Sequence, residues 1–247
     1  MRYFLEVAYK GTNYAGFQLQ ANANTIQAEV EKAIYTCCRK YYKLTGSSRT
    51  DSGVHAYQNY FHIDVDSELP QQLKYNLNSV LPTDIAIKNI VRVSEDAHCR
   101  FHANARKYKY YITRERDPFL IDTAWYYPYK VDLGLLQEAA RIILNHTDFT
   151  SFSKLHTHTN TNECKIFESS WSIEADNLIY QVRANRFLRG MVKSIVSTSL
   201  HVGRGLITMG EFENIVRAKD CSKASFSTPA KGLFLVMVEY PSTILSK

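Results

Sequence analysis

No stretch of this 247-residue chain is apolar over the roughly 20 consecutive positions that a membrane-spanning helix needs, which excludes an integral helical membrane protein. Nor does it start with a charged segment followed by an apolar core and a cleavage site. Met1-Arg2-Tyr3-Phe4-Leu5-Glu6 reads as a strand that begins at once, so an unexported, cytoplasmic protein is expected. Cysteine is sparse. The five residues Cys37, Cys38, Cys99, Cys164 and Cys221 include no C-x-x-C pair, and an odd, scattered set fits reduced thiols and argues against zinc. Linkers rich in Gly, Pro or Ser are missing, as are low-complexity stretches and visible repeats. Acidic residues are the minority charge, 24 Asp and Glu against 30 Lys and Arg, and the net charge of +6 permits a polyanionic partner without demanding one.

What is present is a globular composition. Hydrophobic residues make up 45% of the chain and aromatic ones 13%, with 17 tyrosines, enough for a sizeable core and for surfaces on which bases could stack. Residues 1–9 alternate as a strand, and a polar loop follows over 11–20. A helix comes next, with Asn24 as N-cap, Gln27 three residues on, and Ile26, Val30, Ala33, Ile34, Cys37 and Cys38 on one face. A strand begins at 41–44 and another runs over 60–66, where Phe61, Ile63 and Val65 alternate against His62, Asp64 and Asp66 and the two aspartates are the expected wet face. Leu69, Leu73, Leu77 and Val80 mark a second helix that stops before Pro82, and 85–93 is again a strand. The first half therefore reads β-α-β-β-α-β.

Residues 105–115 form a strand rich in tyrosine and basic residues, and an irregular aromatic connection leads to a helix over 132–145. Strands over 167–175 and 178–186 meet at Asp176-Asn177, a favoured hairpin turn pair. Residues 187–201 are helical, Thr208 with Glu211 makes a capping box for a last helix, and 233–240 closes as a strand. Helices interrupting mostly antiparallel strands imply α+β, with one half over 1–104 and the other over 105–247.

The run Ser47-Ser48-Arg49-Thr50-Asp51-Ser52-Gly53-Val54-His55-Ala56 sets one carboxylate, Asp51, near a fixed cation, Arg49, in a tight turn. Gly53 suits positive φ or a close approach, and the flanking hydroxyls can bond local amides, so the loop is expected to be rigid, as a nucleophile requires. The plain alternative is an Asx-type turn between strands.

The string R-T-D-S-G-V-H-A resembles the catalytic loop G-R-T-D-x-G-V-H-A of the TruA family of tRNA pseudouridine synthases. Five further landmarks follow in the family's order. Tyr9-Lys10-Gly11-Thr12-Asn13-Tyr14-Ala15-Gly16-Phe17-Gln18 is similar to Y-D-G-x-x-Y-x-G-W-Q, and residues 103–112 resemble A-x-A-R-x-Y-x-Y. Asp148-Phe149-Thr150-Ser151-Phe152 resembles D-F-x-x-F, residues 185–193 resemble N-x-F-L-R-x-M-V-R, and Gly232-Leu233-Phe234-Leu235 resembles G-L-Y-L. Together they cover nearly the whole chain, and ordered context gives each motif its weight.

The resemblance implies two ferredoxin-like halves in one extended, mostly antiparallel sheet flanked by helices. It also implies isomerisation of uridine to pseudouridine at positions 38, 39 and 40 of the tRNA anticodon stem-loop, by a homodimer and without cofactor or metal. By resemblance Asp51 is the nucleophile, toward C1′ of the ribose or C6 of the base, or it assists elimination to a glycal. All three routes need an ionised carboxylate, and the implied partner, Arg189, supplies a cation that favours it. Tyr108 is implied to stack on the base and help remove the C5 proton, stacking being worth about 1 to 3 kcal/mol. Strand alternation puts Tyr108 and Tyr110 on one face, so the two divide the roles of platform and core residue. Arg49 is the implied base-flipping arginine and Leu233 an apolar contact beneath the base. Phosphate contacts are expected of Arg100, His102, Arg106, Lys107, Lys109, Arg186 and Lys193, with a further RNA-binding loop at His156 to Asn160. The chain departs from the family at Ser48 for Gly, Phe17 for Trp and Lys193 for Arg.

Three rivals stand beside this. His156, His158 and Cys164 offer metal-capable atoms but no second cluster. Asp51-Ser52-Gly53 matches half of an aspartic protease dyad, without the second acid that must share its proton. A non-catalytic RNA-binding module explains the charge and the tyrosines, but not a carboxylate displayed where phosphate should approach.

Overall fold

The computed structural model describes residues 1–154 and 161–245. The His156 to Asn160 loop lies outside them, as do two of the three residues of the rival metal reading. Close Cα neighbours divide the chain into two units, Met1–Asn104 together with the chain from Phe234 onward, and Ala105–Leu233.

The first unit opens with β1 (Arg2–Tyr9), a 3-10 turn at Gly11–Asn13 and α1 (Ile26–Cys38). After these come β2 (Thr45–Gly46), β3 (His55–Asp64), α2 (Leu73–Val80) and β4 (Ile85–Val93). The order is the expected β-α-β-β-α-β. β1 is the hub, antiparallel to β3 on one side and to β4 on the other. α1 buries Ile26, Val30, Ala33 and Ile34, while Cys37 and Cys38 are only half-buried. Its N-cap is Thr25 and not Asn24: the Thr25 hydroxyl oxygen accepts the Ala28 N–H at 3.2 Å, one residue later than the sequence pattern suggests. Phe17 is 1% exposed and lies flat on Phe61, with ring centroids 4.4 Å apart, so at the position where the family has Trp this chain keeps an aromatic core residue. The expected wet pair, Asp64 and Asp66, is exposed, and His62 beside it is buried.

The second unit contains β5 (Ala105–Thr113), β6 (Trp125–Tyr126), α3 (Leu133–Leu144), β7 (Ile166–Glu174), β8 (Asn177–Ala184), α4 (Met191–Gly203) and α5 (Met209–Arg217). β8 lies between β5 and β7, antiparallel to both. α3 is capped by Asp132, whose Oδ1 accepts from Leu135 N at 3.0 Å, and α5 has the expected Thr208/Glu211 capping box. The β7–β8 turn centres on Ala175 and Asp176, both at positive φ (45° and 65°), with Glu174 opposite Asn177, one residue earlier than expected. α4 starts at Met191 and not at 187, because Gly190 stands at φ 77° and breaks the helical backbone there.

The closing strand β9 (Leu233–Glu239) differs from the expectation in its company. Sequence order groups it with the second half, yet from Phe234 onward it belongs to the first unit, where it runs parallel to β3 with His55 opposite Phe234 and Ala56 opposite Leu235. The strands are mostly antiparallel and the class is α+β, as expected. No helix among the described residues is long and apolar enough to cross a membrane.

Candidate active site

The Asp51 loop spans the gap between β2 and β3 and is held by the first unit from several directions. At its start Ser47 N–H donates to Tyr60 O at 2.8 Å, and the Tyr240 hydroxyl donates to Ser47 Oγ at 3.2 Å. In the middle, Phe17 N–H donates to Thr50 O at 3.1 Å and Asp51 bridges Gly16 antiparallel. Past Asp51, Ser52 Oγ and Gly53 N–H both donate to Tyr14 O, at 3.1 and 3.3 Å, and Val54 N–H closes the turn on Asp51 O at 3.2 Å. Gly53 has φ 75°, the positive value its presence suggested.

The clamp on this loop is the Tyr9 to Gln18 segment, whose purpose the sequence alone did not disclose. A Cβ at Gly11 would stand 2.0 Å from the Val54 carbonyl oxygen, so only glycine lets the two backbones meet there. Gly11 N–H also donates to His55 Nδ1 at 3.0 Å, tying the segment to the first residue of β3. Tyr14 is anchored in turn by its hydroxyl, which donates to Asp84 Oδ1 at 2.5 Å, and burial pushes the Tyr14 hydroxyl pKa well above its usual value. Asp51 itself is half-buried and Arg49 is exposed. A carboxylate on so constrained a backbone is presented in one direction, which is the geometric requirement for a nucleophile.

In the second unit, Tyr108 and Tyr110 separate as strand alternation allowed. Tyr110 is fully buried, donates its hydroxyl to Pro229 O at 2.7 Å, and has its pKa raised by that burial, so it is the core residue. A Cβ at Gly232 would meet the Tyr110 ring at 2.8 Å, which explains the glycine that opens G-L-F-L. Tyr108 is 8% exposed, and its ring meets Phe187 edge to face with centroids 5.0 Å apart. Two residues beyond Phe187 comes Arg189, exposed, in the turn before α4 and not in the helix, its carbonyl accepting Lys154 N–H at 3.0 Å. Leu233 is buried at the start of β9. The structure thus sets Arg49 with Asp51 in the first unit and Tyr108 near the Arg189 turn in the second.

The candidate phosphate contacts fall into separate groups. Arg100 lies beside the exposed Phe101 ring, 5.8 Å from its centroid, and His102 Nδ1 accepts His98 N–H at 3.2 Å. Arg106 donates to Asn185 O at 3.0 Å, which gathers Arg106 with the neighbouring, half-buried Arg186. Lys107 differs from the free cation expected: its Nζ sits 3.1 Å from Glu168, which also accepts Arg183 at 2.8 Å, and Lys109 pairs with Glu174 at 3.6 Å. Those carboxylates satisfy the two lysines within the sheet surface. Lys193 is half-buried in α4.

One cluster was missed. His62, His98 and Cys99 bring ligand-type atoms within 4.8 Å of one another. Hydrogen bonds hold them to one another and to the turn. Cys99 N–H donates to His62 Nδ1 at 3.3 Å, and Arg100 and Phe101 N–H donate to His98 Nδ1 at 3.1 and 3.4 Å. His62 Nδ1 also lies 3.2 Å from Cys99 Sγ, which donates to Thr45 O at 3.1 Å. The cluster thus ties the turn before β5 to β2 and β3.

An α+β protein that displays one carboxylate on a clamped loop in its first unit, with a tyrosine near an arginine-bearing turn in its second, belongs to a narrow class. The family model described as tRNA pseudouridine synthase matches residues 6–102 and 139–241. A protein of Parabacteroides distasonis named tRNA pseudouridine synthase A is 42% identical over 98% of this chain and 97% of its own length. One of that name from Bacteroides fragilis is 43% identical over 98% of each, and one from Staphylococcus aureus is 34% identical over 95% of this chain and 89% of its own. The chain belongs to the tRNA pseudouridine synthase family, whose members are isomerases.

Proposed function

We propose that this chain converts uridine to pseudouridine in tRNA at positions 38, 39 and 40 of the anticodon stem-loop, with Asp51 as the nucleophile. The carrying observation is that the family match runs through both units and includes the clamped Asp51 loop. The protein is a tRNA-uridine isomerase, and a non-catalytic RNA-binding module is not favoured.

The reaction breaks the N1–C1′ bond, turns the base, joins C5 to C1′ and releases the C5 proton, with no net oxidation and no cofactor. The target base must first leave its stack, at a cost of a few kcal/mol. In this reading Arg49 grips the flipped nucleotide, Tyr108 stacks on the base and assists loss of the C5 proton, and Leu233 supports the base from the apolar side. By its match to the family's motif, Arg189 is the cation assigned to favour the ionised carboxylate. Arg100, His102, Arg106 and Lys107 contribute to holding the tRNA, with Lys107 the least available of the four because Glu168 already engages it. The working form is a cytoplasmic homodimer, which sedimentation analysis of the purified protein tests directly.

The deciding experiment is tritium release from tRNA labelled at C5 of uridine. Native protein releases tritium, while Asp51→Asn, which keeps the shape but removes the nucleophile, binds the tRNA and releases none. Near-native release by the variant overturns the role of Asp51; binding without release by the native protein revives the binding-module reading.

A further inference from the structure

Beneath the Asp51 loop lies a chain of buried polar groups to which none of these roles is attached. Asn59, 0% exposed in β3, donates from Nδ2 to the Ser48 carbonyl at 2.8 Å and to the Tyr9 hydroxyl oxygen at 3.2 Å, and its Oδ1 accepts Tyr60 N–H at 2.9 Å. The Tyr9 hydroxyl, at the end of β1, is 2.7 Å from Thr50 Oγ1. In that bond either oxygen can be the donor, while the Asn59 amide donates into the Tyr9 oxygen. Tyr9, Ser48 and Thr50 are all buried.

The two ends of this chain grip residues 48 and 50, which bracket Arg49 and lead directly into Asp51. Buried amides and hydroxyls cost free energy unless every one is bonded, and a Phe or Val would fill the same space without that risk. What the polar version adds is direction. A carbonyl and a hydroxyl on alternate residues, fixed from the two paired strands β3 and β1, set the rotation of the backbone that carries the carboxylate.

We propose that Tyr9 and Asn59 are positioning residues for Asp51, acting through Ser48 and Thr50; this rests on Asp51 being the nucleophile. An error of about 1 Å in a reacting group costs on the order of a hundredfold in rate, so the network acts on turnover and not on tRNA affinity.

The test is tritium release at saturating tRNA, with tRNA affinity and melting temperature measured on the same samples. Tyr9→Phe, which deletes one hydroxyl and no volume, lowers kcat by about tenfold or more while KM stays within about twofold. Thr50→Val falls similarly, and Tyr9→Phe combined with Thr50→Val falls no further than the worse single variant, because both break the same bond. Thr50→Ser, which keeps the hydroxyl, retains turnover. Native kcat in Tyr9→Phe overturns the proposal, whatever its melting temperature, as does an additive loss in the double variant or a loss confined to tRNA affinity. Failure here is distinct from failure of the parent reading. If Asp51→Asn is active, the nucleophile is misassigned, whereas if it is inert and Tyr9→Phe is native, only the positioning role falls.

Discussion

At the scale of single residues, Arg189 offers the sharpest contrast between charge and shape. A guanidinium presents a planar fork that meets a carboxylate through two parallel bonds, whereas a lysine supplies a point charge on a flexible stem. Arg189 is exposed in a turn, and a lysine there keeps the charge. Arg189→Lys therefore leaves the melting temperature nearly unchanged, within the roughly 0.5 kcal/mol typical of surface changes, yet lowers kcat/KM at least about tenfold. Full activity in that variant would show that the fork is not used. The strings around Asp51 and Arg189 were conspicuous in the sequence because each matches a family motif in its order. The significance of Gly11, Tyr9 and Asn59 was not legible, since it lies in what the fold brings against them: a carbonyl oxygen for Gly11, the underside of the loop for the other two.

Elements with local signals were read closely. β4 has the bounds that its apolar alternation suggested, and α3 and α5 begin at the caps written into Asp132 and Thr208. Where competing signals lay side by side, the boundary slipped: Asn24 and Thr25 can both cap, and Phe187-Leu188-Arg189 looks helical until Gly190 takes a positive φ. The β7–β8 hairpin slipped for the same reason. A two-residue turn of this hand needs positive φ at both central positions, which Asn and Gly tolerate and alanine does not. The sequence offers Asp-Asn one step along, but the pairing of Glu174 with Asn177 puts Ala175 in the strained position. Ala175→Asn consequently stabilises the protein by about 0.5 to 1 kcal/mol, seen as a melting temperature higher by about 1 to 4 °C. An unchanged or lower midpoint would mean that the turn stores no strain at Ala175.

For the molecule as a whole, class and element order were legible because hydrophobic periodicity reports them directly, while the return of β9 to the first unit was not, since strand partnership is a long-range property. The histidine-rich turn before β5 is long-range in the same way, and it gives the stability of the protein a pH dependence. His62 on β3 faces Arg2 from β1, Asp64 from its own strand, and His98 and Cys99 from the turn. Burial, with Arg2 and His98 adding to it, pushes the His62 imidazole down to about 4 from an ordinary value near 6.5. His98 is lowered too, again chiefly by burial and then by Arg2. A group whose folded pKa is depressed contributes nothing to the pH slope above its unfolded value. Between about 6.5 and 4 the unfolded chain binds protons that the folded chain refuses, so stability falls as the pH falls through that window. His62→Asn keeps an acceptor for the Cys99 N–H but does not titrate there, so its melting temperature declines less between pH 7 and pH 5 than that of the native protein. After allowance for water that reaches the turn, the difference corresponds to about 1 kcal/mol, or about 2 to 4 °C. Parallel curves for the two proteins would show that the buried imidazole takes up its proton without opening the fold.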